Sequence, residues 1–213
     1  MTKEILIIGG GRIGQALSSA LKNKPVVFDK DPEKTNTKKA LSELTQEAKI
    51  IFLAVPGIAY EELIKEIKPY LQKESLIIAV SKGITKNYHF VWQELNKLPQ
   101  NYGILAGPIM AEDIIKNKPT VGIIGFKNNK AFSQIKTLFK QNFRLINYPH
   151  SPKDLSVAGT LKNVYALFLG IIDGLNLGEN AKAYFLLKSL REMRILAKHF
   201  KANLLAINGL DGI

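Results

Sequence analysis

Lys162 and Asn163 are the residues whose chemistry is hardest to explain as ordinary packing. They stand in DLSVAGTLKNVYALFLGIIDGLNLGENAKA and are the only strongly polar side chains from Leu161 to Ile172. So dense an apolar run predicts a helix buried on most sides. An ammonium carried into such surroundings needs anionic partners or a water-lined cleft. Burial lowers its pKa towards the range in which an amine exchanges protons near neutral pH. The competing reading is a lysine that snorkels to solvent from the helix edge. The stretch alone leaves both open.

A second cation is delivered by Leu76 to Val80, an apolar run that reads as a strand and ends in Ser81-Lys82-Gly83. In a parallel sheet this places Lys82 at the carboxyl edge, where ligands sit; otherwise it is an ordinary surface lysine. Ile50 to Val55 (IIFLAV) has the continuous apolar character of an inner parallel strand and ends in Pro56-Gly57 at the same edge, which brings Val55 and Pro56 to the ligand side.

What such cations would serve is indicated by the N-terminus. Glu4 to Ile8 runs directly into Gly9-Gly10-Gly11-Arg12-Ile13-Gly14, and a helical pattern (Ile13, Leu17, Ala20, Leu21) begins at once. Strand, G-x-G-x-x-G and helix in that order form a dinucleotide cradle. Gly9 permits the tight turn, Gly11 lets backbone approach a pyrophosphate, Gly14 packs helix on strand, and the helix start at Arg12 and Ile13 faces the phosphates. Pro25 to Phe28 predicts the next strand, closed by Asp29. An acid there accepts hydrogen bonds from ribose hydroxyls and repels a 2′-phosphate, favouring NAD, while Lys30 beside it keeps NADP possible. Alternatively Asp29 and Asp31 only cap the turn before Pro32.

The elements that must hold these groups alternate. Helical periodicity covers Ala59 to Leu71, strands are predicted at Tyr102–Leu105, Thr120–Gly125 and Arg144–Asn147, and helices from Ala111 and over Lys130–Lys140. This predicts an α/β fold, a Rossmann-type doubly wound sheet over residues 1–150. Tyr148-Pro149-His150-Ser151-Pro152 marks a boundary, and residues 151–213 read as a small all-helical domain, Asp154–Leu175, a turn at Gly178, then Ala181–Phe200.

The chain has 213 residues, 46% of them hydrophobic and 23% charged, as in an ordinary globular protein. No cysteine is present, which excludes disulfides and thiolate chemistry and points away from secretion. Neither a signal peptide nor an uninterrupted apolar run of membrane-spanning length is apparent, so a cytoplasmic location and no membrane partner are expected. Lys and Arg number 30 against 18 Asp and Glu, a net charge of +12, but without basic blocks or interleaved aromatics. The surplus suits a small anion better than nucleic acid. His89, His150 and His199 fall in no metal-ligand spacing, so no metal site is expected.

GGGRIGQAL, FLAVP, SKGI, GILAGPIMAEDI, GTLKNVYALFLGIIDGLNLGENAKA and LREM, in that order along the chain, together resemble the NAD(P)-dependent glycerol-3-phosphate dehydrogenases. The resemblance implies a Rossmann domain followed by a helical domain with the active site between them. It also implies reversible reduction of dihydroxyacetone phosphate to sn-glycerol 3-phosphate by a nicotinamide cofactor, in glycerophospholipid metabolism. Lys162 resembles the family's acid/base lysine, Asn163 its neighbour in the substrate pocket, and Lys82 the second active-site lysine, with Gly107 in the GILAGPIM stretch beside the substrate. Hydride addition builds negative charge on the ketone oxygen, which a cation stabilises and an acid protonates.

The chain departs from that pattern in three places. The ending Gly209-Leu210-Asp211-Gly212 resembles the family's Gly-Leu-Gly-Asp stretch with one residue lost, so that Asp211 falls near its catalytic aspartate. No Ser-Arg-Asn motif, whose arginine holds the substrate phosphate in the family, occurs in the sequence, and lysine does not replace a bidentate arginine. The segment from Asp29 to Ile50 is also shorter. Three readings follow: a dehydrogenase with a truncated helical domain, a nucleotide-binding relic without the phosphate clamp, or a dehydrogenase for another small acid. The apolar helices have little surface to hide against, which predicts a homodimer through the Val164–Leu177 face.

Overall fold

A computed structural model of the chain describes residues 4–209, apart from the side chain of Asn129. Strands β1 (Ile5–Ile8), β2 (Val26–Phe28), β3 (Ile50–Leu53), β4 (Leu76–Ala79), β5 (Asn101–Ala106), β6 (Thr120–Phe126) and β7 (Phe143–Tyr148) form one sheet in the order β2-β1-β3-β4-β5-β6-β7. The chain leaves β1 towards β2 on one side and resumes at β3 on the other. The switch point therefore lies at the carboxyl ends of β1 and β3, where α/β sheets open a crevice. The ladder is parallel except between β5 and β6, where Gly103 faces Phe126 antiparallel.

Alternation along the inner strands divides the core between two faces. Ile5, Ile7, Ile50, Phe52, Leu76 and Ile78 pack on α1 (Arg12–Ala20) and on Phe139 and Phe143. Leu6, Ile8, Ile51, Leu53, Ile77 and Ala79 face the other way, against Leu41 and Leu44 of α2 (Leu41–Glu47), Tyr60, Ile64 and Ile67 of α3 (Tyr60–Ile67), and Val91 and Leu95 of α4 (Val91–Leu95). Helices α2 and α4 were not anticipated from sequence; at seven and five residues they are too short for periodicity to reveal. Helix α5 (Ala111–Ile115) follows β5 as expected. The helix expected over Lys130–Lys140 is cut to a 3₁₀ turn at Asn129–Ala131 and α6 (Phe132–Lys136). The reason is pairing: Phe139 bridges to Leu21, and Lys140 N–H donates to Ala20 O, pulling the chain out of helix.

The C-terminal helices share the second core. Helix α7 (Pro152–Gly174) starts at Ser151, whose side chain accepts from Lys153 N–H, with Pro152 in the first turn. Its first half buries Leu155, Val157, Ala158 and Leu161 against the sheet, with Met193 and Ala197 of α8 (Glu179–His199) and Ala206 and Ile207 of α9 (Leu204–Ile207). Buried Asp154 fixes the corner, accepting from Asn203 N–H at 3.1 Å and from the Tyr148 hydroxyl at 3.3 Å.

The second half of α7 departs from the expectation of a helix buried on most sides. Val164 (59%), Leu167 (70%) and Ile171 (52%) are exposed. By length and composition alone Pro152–Gly174 is long and apolar enough to cross a bilayer, but Lys162 and Asn163 interrupt its apolar run and its first half serves the core just described.

Candidate functional site

The glycine turn is built by close approach. Gly9 has φ +107° and donates its N–H to Phe28 O, joining β1 to the end of β2. A Cβ at Gly14 would lie 1.8 Å from Gly9 O, so helix and turn fit only without a side chain there. Beyond Gly11 the space is open, and α1 begins at Gly11 with no side chain capping it. The free N–H groups of its first turn are thus available to a phosphate.

Two cavities flank this turn. A slot of about 210 Å³ is lined mostly by apolar residues, among them Ile8, Phe28, Leu41, Val55 and Leu63, together with Gly9 and Pro56 and the charged residues Asp29, Lys30, Glu62 and Glu66. Gly9, Asp29, Val55 and Pro56 thus come together at one slot, as the sequence predicts. Asp29 also serves the turn: one oxygen accepts from Gly10 N–H at 2.6 Å, the other from Asp31 N–H at 2.9 Å. Asp31 caps the 3₁₀ turn Pro32–Lys34 by accepting from Glu33 N–H. The turn-capping role of Asp29 is thus seen directly, and each of its oxygens keeps a further lone pair.

On the other flank, a cleft of about 390 Å³ is lined by Arg12 and Ile13 of the glycine turn, Lys82, Gly107, Met110 and Asn163. The Lys82 ammonium lies 3.3 Å from Gly107 O. The loop carrying Lys82 is braced from several sides. Ser81 donates to Val55 O; Gly83 N–H donates to Thr160 Oγ1 at 3.1 Å. Beyond it the Glu61 carboxylate accepts from the Thr85 hydroxyl and from both N–H groups of Asn87. The Thr85 hydroxyl first, then Asn87 N–H and the His89 and Lys97 charges, hold the Glu61 carboxyl below its ordinary value. Thr160 and the Glu61 clasp escaped the sequence reading; Thr160 lies two residues before Lys162, but nothing in a hydroxyl's type announces its partner.

Lys162 sits elsewhere. It lines a separate cavity of about 160 Å³ between α7 and α8, with Tyr165, Leu169, Ser189 and Met193, and is half-buried. Neighbouring residues on a helix point about 100° apart, so Asn163 rather than Lys162 faces the Lys82 cleft. Burial, then the Glu192 carboxylate, pushes the nearby Tyr165 hydroxyl well up from the ordinary phenol value. Asp211 lies outside the described residues.

Glu61, His89 and Glu94 offer ligand atoms within 4.8 Å of one another, a grouping the sequence spacing does not show. The cluster is already bridged by hydrogen bonds and an ion pair. Lys97 Nζ stands 2.7 Å from both Glu94 oxygens, and His89 Nδ1 stands 2.9 Å from one of them.

The chain was compared with known proteins. Residues 27–132 match the family model of the NAD-dependent glycerol-3-phosphate dehydrogenase N-terminus, and residues 154–213 that of its C-terminus. Relatives named glycerol-3-phosphate dehydrogenase [NAD(P)+] include one from Bacillus velezensis, 37% identical over 81% of this chain and 52% of its own length. Another, from Psychrobacter cryohalolentis, is 27% identical over 98% of this chain and 55% of its own length. The chain thus spans about half the length of these curated relatives. The crystal structure of glycerol-3-phosphate dehydrogenase from Coxiella burnetii superposes with a TM-score of 0.90 at 24% identity, covering 99% of this chain and 73% of that one. Glycine cradle, Lys82–Asn163 cleft and both family models agree, and the chain belongs to the NAD-dependent glycerol-3-phosphate dehydrogenase family.

Proposed function

We propose that this chain catalyses NAD(P)-dependent interconversion of dihydroxyacetone phosphate and sn-glycerol 3-phosphate. The observation that carries the reading is the single cleft in which Lys82 and Asn163 stand beside Arg12 and Ile13 of the dinucleotide turn. The residues fit the cofactor: an uncapped helix start for the pyrophosphate, open space over Gly11, and an apolar slot edged by Asp29 for the adenosine. A nicotinamide cofactor held by these residues would supply hydride exchange with the substrate carbon. Lys82, held against Gly107 O, stabilises the charge that develops on the substrate oxygen. Asn163 orients that oxygen by hydrogen bonding, and Lys162, the preceding residue on α7, exchanges the proton as acid/base. Family membership supports these roles. The test is oxidation of NADH or NADPH with dihydroxyacetone phosphate; no turnover with either cofactor would refute the reading.

We also infer a homodimer through the exposed face of α7 and α8. Val164, Leu167, Phe168, Ile171 and Leu175 form an exposed apolar surface with Tyr184 and Leu187, of a kind that marks an interaction site.

A further inference from the structure

We propose that the outward face of α8 docks on an anionic lipid surface, which makes this chain a peripheral membrane protein. The inference goes beyond the dehydrogenase reading and departs from the expectation of no membrane partner. Successive residues of an α-helix lie about 100° apart. Around Arg191, the side chains of Leu187, Lys188, Arg194, Ile195 and Lys198 therefore fall within about 60° of it, and each of these residues is exposed. Ser189, Met193 and Ala197, the buried residues of α8, lie on the opposite side. From Leu187 to Lys198 the stripe runs about 17 Å.

The stripe carries four cations and no carboxylate. Both acids of α8 lie off it. Glu179 opens the helix, and Glu192 turns about 100° away to the flank, where its charge acts on the Tyr165 hydroxyl. No cation of the stripe has a carboxylate partner among the described residues. Arg194 bonds the neutral Asn208 Oδ1 at 3.1 Å, and Lys188 lies over the Tyr184 ring at 5.4 Å. The side chains of Arg191 and Lys198 make no hydrogen bond or ion pair among the described residues. Between the cations, Leu187 (68%) and Ile195 (59%) turn apolar surface to the outside. Spaced along the chain, these charges form no block in the sequence and gather only on the helix.

Charge selects the occupant. A second copy of the chain is disfavoured, because a twofold contact through this stripe would set cations against cations with no acid between them. A nucleic acid would pair the cations but leave Leu187 and Ile195 wet. An anionic lipid surface answers both: its phosphates pair with the lysines and arginines, while Leu187 and Ile195 enter the boundary of the acyl chains. The long stems of the basic residues suit this depth, burying their methylenes and keeping their charges at the headgroups. The stripe also faces away from α7, which packs on the other side of α8, where Tyr165 and Leu169 meet Ser189 and Met193. A dimer through Val164, Leu167 and Ile171 of α7 therefore leaves Arg191 and Lys198 outward.

Vesicle co-sedimentation of the whole chain tests this. Vesicles of phosphatidylcholine and phosphatidylglycerol in equal parts should carry the chain down, pure phosphatidylcholine should not, and added salt should release it. The double substitution Arg191→Gln and Lys198→Gln should weaken binding about tenfold or more, and Ile195→Ser should weaken it several-fold. The exchange Arg191→Lys with Lys198→Arg keeps the charge and should keep the binding. Because these side chains are exposed, melting temperature, turnover in solution and molecular mass should not change in any of the variants. The docking face is overturned if the chain ignores anionic vesicles, binds neutral ones equally well, binds unchanged in the double variant or in Ile195→Ser, or prefers duplex RNA to lipid. A double variant that parts from its partner copy would overturn it too, by assigning the stripe to the dimer. Turnover of dihydroxyacetone phosphate measured without lipid tests the dehydrogenase reading separately, so either can fail alone.

Discussion

Thr160 is bonded to both backbone groups of Gly83. Its Oγ1 accepts from Gly83 N–H at 3.1 Å and lies 3.2 Å from Gly83 O and 2.7 Å from Ser156 O, so its single proton is shared between two carbonyls. This one hydroxyl ties the loop that carries Lys82 to the helix that carries Asn163.

Thr160→Val keeps the shape and removes the tie, leaving a half-buried Gly83 N–H without its acceptor at a cost of about 1–3 kcal/mol. Turnover should fall about tenfold, because a small misplacement of catalytic groups is costly, while dinucleotide affinity stays unchanged. Thr160→Ser should restore most of it. Steady-state kinetics alongside cofactor titration checks both; unchanged turnover in Thr160→Val would refute the coupling.

Substitution of the lysines separates chemistry from cofactor binding. Lys82→Ala and Lys162→Ala should each lower turnover by about 10²–10⁴-fold, with dinucleotide affinity retained, because neither lines the adenosine slot. An active Lys162→Ala enzyme would assign proton transfer to another group and leave Lys162 a structural part of the α7–α8 packing.

The glycine turn gives two opposite outcomes. At Gly14 an added Cβ meets backbone 1.8 Å away, and Ala there should cost at least about 1–3 kcal/mol of stability. At Gly11 it meets nothing, and φ there is −68°. Gly11→Ala should therefore melt with the unaltered protein yet bind dinucleotide more weakly. Thermal melts with and without cofactor distinguish the two.

Acid should loosen the Glu61 clasp. Its folded pKa lies below the ordinary 4.5, so its contribution is complete above that value and is lost as pH falls through the lower, folded one. Glu61→Gln should accordingly be less stable than the parent near neutrality, with the difference closing in acid. Denaturant melts at several pH values would show it; a gap that persists in acid would refute the assignment.

The α7–α8 face should hold two copies together. Light scattering at micromolar concentration should give twice the chain mass, and Leu167→Glu should return it to the monomer, since an exposed leucine costs the isolated fold little when replaced.

The parts of this molecule legible in its sequence are those set by neighbours along the chain. β1, the glycine turn and α1 follow from local sterics, and Lys82 falls at the carboxyl edge because a strand end is a local property, whereas the place of Asn163 in the cleft was implied by the family resemblance, which put Lys162 there as well. What needed the third dimension was orientation and pairing. Whether residue 162 or 163 faces the cleft is decided by how α7 rolls on the sheet. The truncated α6 follows from Phe139 pairing with Leu21, more than a hundred residues away.

One further consequence follows from where Leu155, Val157 and Ala158 lie. They close the same apolar layer as β1, β3 and β4, so the pair of prolines at 149 and 152 divides tasks without dividing the fold. A protein cut there would uncover the part of that face which α7 closes over β5 and β6, while α2, α3 and α4 would still cover the rest. The helices act as the lid of a box whose base is the cradle, and neither part was shaped to stand without the other.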